Sequence, residues 1–571
     1  MSPRPNLDRY IAGWRGPALA ALLALVAGLP GLLLLPPLDR DESRHAQASA
    51  QMLESRDFID IRFQNEPRWN KPVGAYWMQA ASVALTSGVE NRDIAAYRLP
   101  SLLAAMLAAA ACAWGGAALF GQRAGFLAGA MLGTTFLLST EAGIAKTDAI
   151  LCAAVTIAMV ALARIYMAAR AGEAPRDPRL RPLKLVFWLA VGIAILVRGA
   201  AGLVVIIPAV VALSAWDRDV RWLKRLGWGW GLSVVALIVG PWAIAITVAT
   251  DGNVWRHALD GGWFAGPLGA EGRRAALGAH TLTSPLLLFP MTLLAPAALA
   301  TGWTRRSEPA VRFLLCWLVP AWLILEIAPA QPWSSVLPLF GALALLASAA
   351  VVQPIGDWPR RIGSGLAIVA AAAICLFTVY GLTIHGDQSA RIWVSVTVVC
   401  AAVAGAGGAF LLMNRAAVSA VVASIVFGLF AHTALVGALS HFRPLSVAPK
   451  LMRTLEEAGL APQQGLTPGP VAITGFHEPS FVFLSGTDTQ LTDAQGAARA
   501  VGEGRPAIVE ARDLAAFQAA TAALGAAPRA VGTVRGFNYS RGEDVNLVVY
   551  APSGAPVAED PSDRRRETPA L

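Results

Sequence analysis

The feature that most constrains this chain is the succession of long apolar blocks that fills its first 440 positions. A helix needs about 20 predominantly apolar residues to cross roughly 30 Å of hydrocarbon. Thirteen stretches approach that length, near residues 17–38, 99–120, 125–140, 149–169, 185–198, 200–216, 226–248, 280–300, 311–326, 334–352, 362–383, 392–413 and 417–440. Backbone in lipid finds no water to bond, so blocks of this kind form helices. Only 15% of the 571 residues are charged and 56% are hydrophobic, whereas a soluble domain carries about 25% charged residues. An ordinary soluble enzyme, a disordered chain and a fibrous protein are thereby excluded. The fifth and sixth blocks are short and parted only by Arg198-Gly199, so one long helix and a re-entrant pair are both open there.

The first block follows Arg4, Arg9 and Arg15 and ends in Leu35-Pro36-Pro37 instead of a small-residue cleavage site. It reads as an uncleaved anchor. Thirteen crossings from an inner N-terminus put the tail outside. The inner connections then hold 19 basic and 7 acidic residues, and the outer ones before the tail 14 basic and 16 acidic. That asymmetry is the positive-inside pattern. It accounts for the net charge of +9 without a nucleic-acid partner. Asp39, Asp41, Glu42, Lys71, Asp148, Arg198, His280 and Glu326 all fall on the outer side, and ionisable groups gathered at one membrane face point to a site. The five cysteines lie in apolar blocks with no CxxC spacing, which predicts neither a disulfide framework nor a thiolate metal site.

Residues 39–98 form a first outer loop too long to be unstructured between two membrane helices. Residues 42–54 read as a short helix with Asp41 near its N-cap. Residues 72–86 read as a second, with Pro72 in its first turn and Tyr76 and Trp77 at the membrane interface. Both are expected to lie along the surface, with a turn at Asn65-Glu66-Pro67 between them. Lys71, just before a helix N-terminus, is badly placed for the helix dipole unless an anion such as a phosphate lies between its ammonium and the free N–H groups. Asp39, Asp41 and Glu42 crowd three carboxylates into four residues, which suits general-base work or a divalent cation. Arg44 and His45 stand close by.

Beyond the last block, residues 441–552 read as a small α/β or α+β domain outside the membrane. Strands are expected at 471–476, 480–486, 506–511, 529–540 and 545–551, and a helix at 514–524. His477 and Glu478 sit beside a turn, and residues 553–571 read as a disordered tail. The whole is an all-α polytopic membrane protein of about 13 transmembrane helices over residues 1–440, followed by that domain.

The ordered series DRDESRHAQASAQMLESRDF, FQNEPRWNKPVGAYW, AKTDAI, VRGAAGLVVIIP and LEIAPAQPWSSVLPLFGALALL resembles the membrane glycosyltransferases that use a polyprenyl-phosphate-linked sugar. That family includes the bacterial lipid A aminoarabinose transferase and the protein O-mannosyltransferases. The resemblance implies a GT-C type fold in a bacterial inner membrane, with a cytoplasmic N-terminus and a periplasmic active site and tail domain. It implies transfer of a sugar from an undecaprenyl-phosphate donor to an envelope acceptor such as lipid A, another glycan or a protein hydroxyl, with inversion and without a nucleotide. Asp41, Glu42 and Asp148 match acidic positions tied to catalysis. Arg44, Lys71, Arg198 and Tyr76 match or replace positions that hold the lipid phosphate and substrate. His45 stands for a family tyrosine, Val73 for a second proline, and Arg198 for a lysine. The metal-associated glutamate before the motif lysine is Asn70 here, so a divalent metal stays open, with Asp41, Glu42 and His280 as the ligand types at hand. The Lys, His and Tyr of the family pattern near residues 331–334 are missing, with Gln331, Ser334 and Ser335 at their places and Trp333 at that of a proline. The other readings are a transporter or flippase of a lipid-linked substrate, and a catalytically altered scaffold.

Overall fold

In the computed structural model, the described residues are 8–172, 177–260, 277–328, 332–462 and 469–552. Among them, ten helices are long and apolar enough to cross a membrane, eleven if one bent pair counts as a single span. The chain is a multi-pass membrane protein with an all-α bundle and a small β-containing C-terminal domain. The ten are Arg15–Leu34, Ile94–Phe120, Asp148–Arg170, Pro178–Ala201, Trp228–Ala249, Pro309–Ile327, Trp333–Val351, Asp357–His385, Ala390–Met413 and Ala417–Ser440.

The three expected blocks that fall short are broken helices. The third stops at Gly133 and resumes at Phe136. Thr134 and Thr135 turn their hydroxyls back onto Ala130 O and Leu132 O, and the Phe136 N–H leaves the helical ladder to donate to Phe289 O at 2.7 Å. The sixth, Leu203–Asp217, has 15 residues, about 22 Å of helix. It is cut from its predecessor at Gly199, whose φ of 57° suits a residue without a Cβ. The eighth bends by 115° between Ala279–Leu287 and Met291–Thr304.

Two helices form the centre. The Trp333–Val351 span is 94% buried and Asp148–Arg170 is 83% buried, whereas Trp228–Ala249 is only 11% buried and forms an outer wall. Small residues let the first helices approach closely, as membrane helix pairs commonly require. A Cβ on Gly31 would lie 2.9 Å from the Gly143 Cα, so the 143–147 turn is pressed against the end of the first span.

The first loop is a compact layer on that same end. Its helices are Asp41–Ser55 and Gly74–Thr86. Between them Arg62–Phe63 pairs antiparallel with Glu66–Pro67, so the turn falls at Gln64-Asn65 and not at Asn65-Glu66-Pro67. Pro72 precedes the second helix instead of opening it. Tyr76 is completely buried, which corrects the interfacial position expected for it.

The C-terminal domain carries five strands in the order Gln490–Leu491, Ala472–Ile473, Ala507–Glu510, Glu543–Ala551 and Arg529–Asn538. Ala472–Ile473 pairs parallel with both neighbours, and the remaining pairs are antiparallel. Residues 480–486, expected as a strand, lie instead in the helix Pro479–Ser485. Proline opens that helix, and its apolar run is buried on two sides: Phe481 enters the domain's own core, and Phe483 enters a cluster with Ala46, Val83 and Tyr97 of the first loop and the helix that follows it. Short continuous apolar runs do not by themselves separate a buried strand from a buried helix. The domain therefore packs on the first loop, at the end of the bundle opposite the start of Arg15–Leu34. The 553–571 tail lies outside the described residues.

Candidate active site

Asp41 and Glu42 are neighbours in sequence and differ completely in environment. Glu42 is buried, with 2% of its surface exposed. Its carboxylate accepts from Leu38 N, Ala145 N and Arg98 Nε at 2.8 Å and from Arg98 Nη2 at 2.7 Å. Arg98, fully buried, also donates to the Gly31, Leu35 and Pro36 carbonyls. All four acceptor sites of Glu42 are therefore filled, and none points to a substrate or a metal. The geometry does not fit Glu42 as a catalytic or metal-binding residue. It is a clamp that ties the end of the first span, the loop helix, the Ile94–Phe120 helix and the 143–147 turn together.

Asp41 is exposed at the first turn of the loop helix. Among the described residues its carboxylate makes no hydrogen bond. Partial burial of the carboxyl pushes its pKa up, but the Lys71, Arg68 and Lys146 cations outweigh that and hold it below the usual carboxylate range. His45 lies one turn on, at the i+4 position that shares a helix face. Its Nδ1 lies 2.7 Å from Asp41 O, where only an N–H fits, so Nε2 carries the lone pair that faces Lys71 Nζ at 3.4 Å. Burial, then the Lys71 and Arg68 cations, keep His45 well below its usual pKa, consistent with this neutral tautomer. The ring stacks on Tyr76, centroids 5.2 Å apart and 11° from parallel. The Tyr76 hydroxyl is buried near the Arg68 guanidinium without a bond of good geometry.

Among the described residues Lys71 has that one long contact for three donors. Burial, then Arg198, lowers its pKa to about 8, against the pull of Asp148 and Asp41. The approach of the loop to the bundle is set by Gly74, where a Cβ would lie 2.8 Å from Leu196 O. That contact brings Lys71 to the end of the Arg181–Arg198 helix. Arg198 forms an ion pair with Asp148, the first residue of the Asp148–Arg170 helix, where a carboxylate also favours the dipole. Asp148 also lies 3.8 Å from Lys146. Lys146 in turn holds Glu141 at 3.1 Å. Asp148 is thus committed to holding cations.

Lys71, Arg198, Asp41 and Asp148 act on one another through their charges, and Tyr76 joins them through its stack on His45. Arg44 is exposed and makes no side-chain bond among the described residues. Arg68 was not singled out from the sequence, although it lies in the quoted motif. The hairpin turns it back through Arg68 N donating to Ile61 O at 2.7 Å, and its guanidinium then faces His45 at 3.5 Å. Its Nε is buried without a partner among the described residues. Four cations, Arg68, Lys71, Lys146 and Arg198, therefore surround Asp41 and the paired Asp148, an arrangement suited to a multiply charged anion.

His280 lies apart. Its Nδ1 is 3.1 Å from Glu326 Oε2 and its ring meets Trp333 edge-on, so it braces the bent pair against the Pro309–Ile327 helix. Asn70 Oδ1 bonds His257 Nε2 at 2.8 Å. Among the described residues no three His, Cys, Asp or Glu side chains come together to hold a metal. Pro329, Ala330 and Gln331 lie outside the described residues.

The C-terminal domain closes over the loop. Asp39 N donates to the Tyr539 hydroxyl at 2.6 Å, Arg40 reaches Ser540 O, and Gln64 Nε2 donates to Thr487 O and Thr489 O at 3.0 and 2.6 Å. Burial, with Glu478 adding to it, raises the Asp39 carboxyl to about 6.

Comparison with known proteins agrees with this architecture. Residues 38–251 match the family model described as dolichyl-phosphate-mannose-protein mannosyltransferase. An undecaprenyl phosphate-alpha-4-amino-4-deoxy-L-arabinose arabinosyl transferase of Pseudomonas paraeruginosa is 30% identical over 371 residues, 61% of this chain and 63% of that protein. The protein of the same name from Pectobacterium atrosepticum is 27% identical over 65% of this chain and 66% of its own length. The chain thus spans a little under two thirds of these relatives. In fold, the crystal structure of ArnT from Cupriavidus metallidurans bound to undecaprenyl phosphate superposes with a TM-score of 0.74 at 18% identity, covering 94% of this chain and 98% of that one. The Archaeoglobus fulgidus oligosaccharyltransferase matches at 0.52 and 11% identity, over 85% of this chain and 64% of that one. Sequence and fold together make this chain a GT-C-like membrane protein related to the polyprenyl-phosphate sugar transferases of the arabinosyl and protein-mannosyl kind.

Proposed function

We propose that the protein transfers a sugar from a polyprenyl phosphate, undecaprenyl phosphate in a bacterial membrane, to a hydroxyl of an envelope acceptor. The observation that carries this reading is Lys71: a half-buried ammonium whose donors are unfilled among the described residues, beside Arg198 and the Asp41 carboxylate, at the end of an apolar bundle. A lipid phosphate satisfies the cations while its isoprenoid chain stays in hydrocarbon. The acceptor hydroxyl attacks the anomeric carbon, its proton passes to Asp41, and the bond from that carbon to the phosphate oxygen breaks with its electron pair leaving on the phosphate. Lys71, Arg68 and Arg198 stabilise the charge that develops there. One base and one leaving group give inversion in a single displacement. Neutral His45 accepts from Lys71 and, stacked on Tyr76, fixes the ammonium. Asp148 holds Arg198 in place.

The same reading sets the topology. The tail domain packs on the loop that follows the first span, so an odd number of crossings separates it from the N-terminus. Counting the three broken blocks with the ten long helices supports thirteen, and the charge asymmetry supports a cytoplasmic N-terminus in a bacterial inner membrane. The loop helices and residues 441–552 then form the periplasmic side.

The test is incubation of the purified protein with a panel of polyprenyl-phosphate sugars and envelope acceptor extracts, reading free polyprenyl phosphate by mass spectrometry. Acceptor-dependent release that disappears in Asp41→Asn and Lys71→Ala is expected. Release that persists in both, or no release with any donor including native membrane lipids, overturns the proposal.

A further inference from the structure

A second concave site lies at the other end of the Arg181–Arg198 helix. Arg198 is in the site described above, and Arg181 is 17 residues earlier, about 25 Å along the axis. There a cavity of about 760 Å³ opens between this helix and the start of Trp228–Ala249, lined by Arg181, Lys184, Leu185, Lys224, Gly227 and Trp230. The cations come from two separate elements. Arg181 and Lys184 stand on the first turn of their helix. Lys224 and Arg225 stand on the turn Arg221–Leu226, which is fixed against that helix by Trp188 Nε1 donating to Leu226 O at 2.8 Å.

A solvated basic connection, of the kind that membrane orientation alone requires, needs neither a cavity nor buried charge. This site has both. Arg225, which follows Lys224 on the same turn, has its Nη1 buried without a hydrogen-bond partner among the described residues. Among those residues no carboxylate pairs with Arg181, Lys224 or Arg225, whereas Asp177 acts on Lys184. Holding Arg181 and Lys224 at one hollow with Arg225 beside it costs repulsion unless an anion sits among them. The walls also specify what carries the anion. Leu185, Trp228 and Trp230 are 43%, 45% and 42% exposed, and the helix that starts at Trp228 is the least buried of the long helices. An aromatic belt beside a lipid-facing wall is where a headgroup ends and acyl chains begin.

We propose that this cavity binds the phosphodiester headgroup of an anionic phospholipid, with its acyl chains laid along Leu185 and the Trp228–Ala249 helix. The occupant is a lipid of the leaflet opposite the Lys71 site, distinct from any substrate held there. The inference stands apart from the transferase reading.

The test is native mass spectrometry of the purified full-length protein titrated with phosphatidylglycerol, with phosphatidylcholine, and with inorganic phosphate alone. One cation near an anionic headgroup changes binding on the order of fivefold. Phosphatidylglycerol is expected to bind at least tenfold more tightly than phosphatidylcholine. Arg181→Gln/Lys224→Gln/Arg225→Gln should abolish that preference, and Lys224→Glu alone, on an exposed side chain, should reduce it at least fivefold with an unchanged thermal midpoint. Arg361→Gln, an exposed cation near the start of the Asp357–His385 helix, should leave it intact. Equal binding of the two lipids, a preference that survives in Lys224→Glu, or displacement of phosphatidylglycerol by millimolar inorganic phosphate overturns the proposal.

Discussion

Replacing Glu42 separates a structural carboxylate from a catalytic one. Four donors converge on its two oxygens, at 2.7–2.8 Å, and the salt-bridged side chains of Arg98 and Glu42 are 0% and 1% exposed. Removing one partner of such a buried pair leaves the other charge uncompensated, at a cost of about 3–5 kcal/mol. Glutamine does not rescue it, because one of its two amide ends is itself a donor and would face two donors across the site. Glu42→Gln and Glu42→Ala should therefore both lose about 3–5 kcal/mol. Glu42→Ala/Arg98→Met should recover a large part of that, since no lone charge stays buried. Asp41→Asn, whose carboxylate makes no hydrogen bond among the described residues, should stay within about 1 kcal/mol of wild type and lose turnover. The assay is unfolding in mixed micelles titrated with dodecyl sulfate, followed by tryptophan fluorescence, alongside release of polyprenyl phosphate. Wild-type stability with abolished turnover in Glu42→Gln would place Glu42 in the chemistry and refute the clamp. Additive losses in the Glu42/Arg98 cycle would refute the pairing.

Other consequences follow from the same geometry. Because free Lys71 titrates at about 8 and must be charged to hold a phosphate, kcat/KM for the donor should fall tenfold per pH unit above that value. Lys71→Arg should remove this limb, and a wild-type profile flat to pH 10 would contradict it. Asp39 is raised from 3.8 to about 6, so the folded state favours its neutral form. Its contribution to stability is full below pH 4, is lost as pH climbs towards 6, and is constant above. Asp39→Asn should flatten that slope and raise the thermal midpoint at pH 7.5; parallel curves for the two proteins would argue against it. Phe483, fully buried and edge-on to Tyr97 at 5.1 Å, anchors the tail domain. Phe483→Ala should cost about 3 kcal/mol at that contact and speed hydrogen exchange in residues 41–55 and 479–490. Unchanged exchange would show that the domain does not order the loop.

The bundle was legible in the sequence because the length of an apolar block is a sufficient signal for a span. Its breaks were not, because they depend on partners far along the chain. The Phe136 N–H leaves its helix for Phe289 O, and nothing within residues 125–140 announces that acceptor. Arg98 was likewise invisible as a partner of Glu42, 56 positions away. The helix at Pro479–Ser485 was misread as a strand because its apolar run serves two cores at once, a property of the docked domain and not of the segment.

The division of labour between Asp41 and Glu42 lies between these cases, since part of its signal is local. Successive helical residues point about 100° apart, so two adjacent carboxylates at a helix start cannot share one environment. His45 stands four residues beyond Asp41, on the same face, and Ala46 stands four beyond Glu42. One face thus runs Asp41 to His45, polar and able to meet Lys71. The other runs from Glu42 to Ala46, which is fully buried in the cluster containing Val83, Tyr97 and Phe483. Read as a helical wheel, DESRHA sets the first carboxylate on the polar face with His45 and the second on the face of Ala46, towards the interior. What the wheel lacks is the cation that makes a buried glutamate tolerable, and only the packing of Ile94–Phe120 against the first span supplies it.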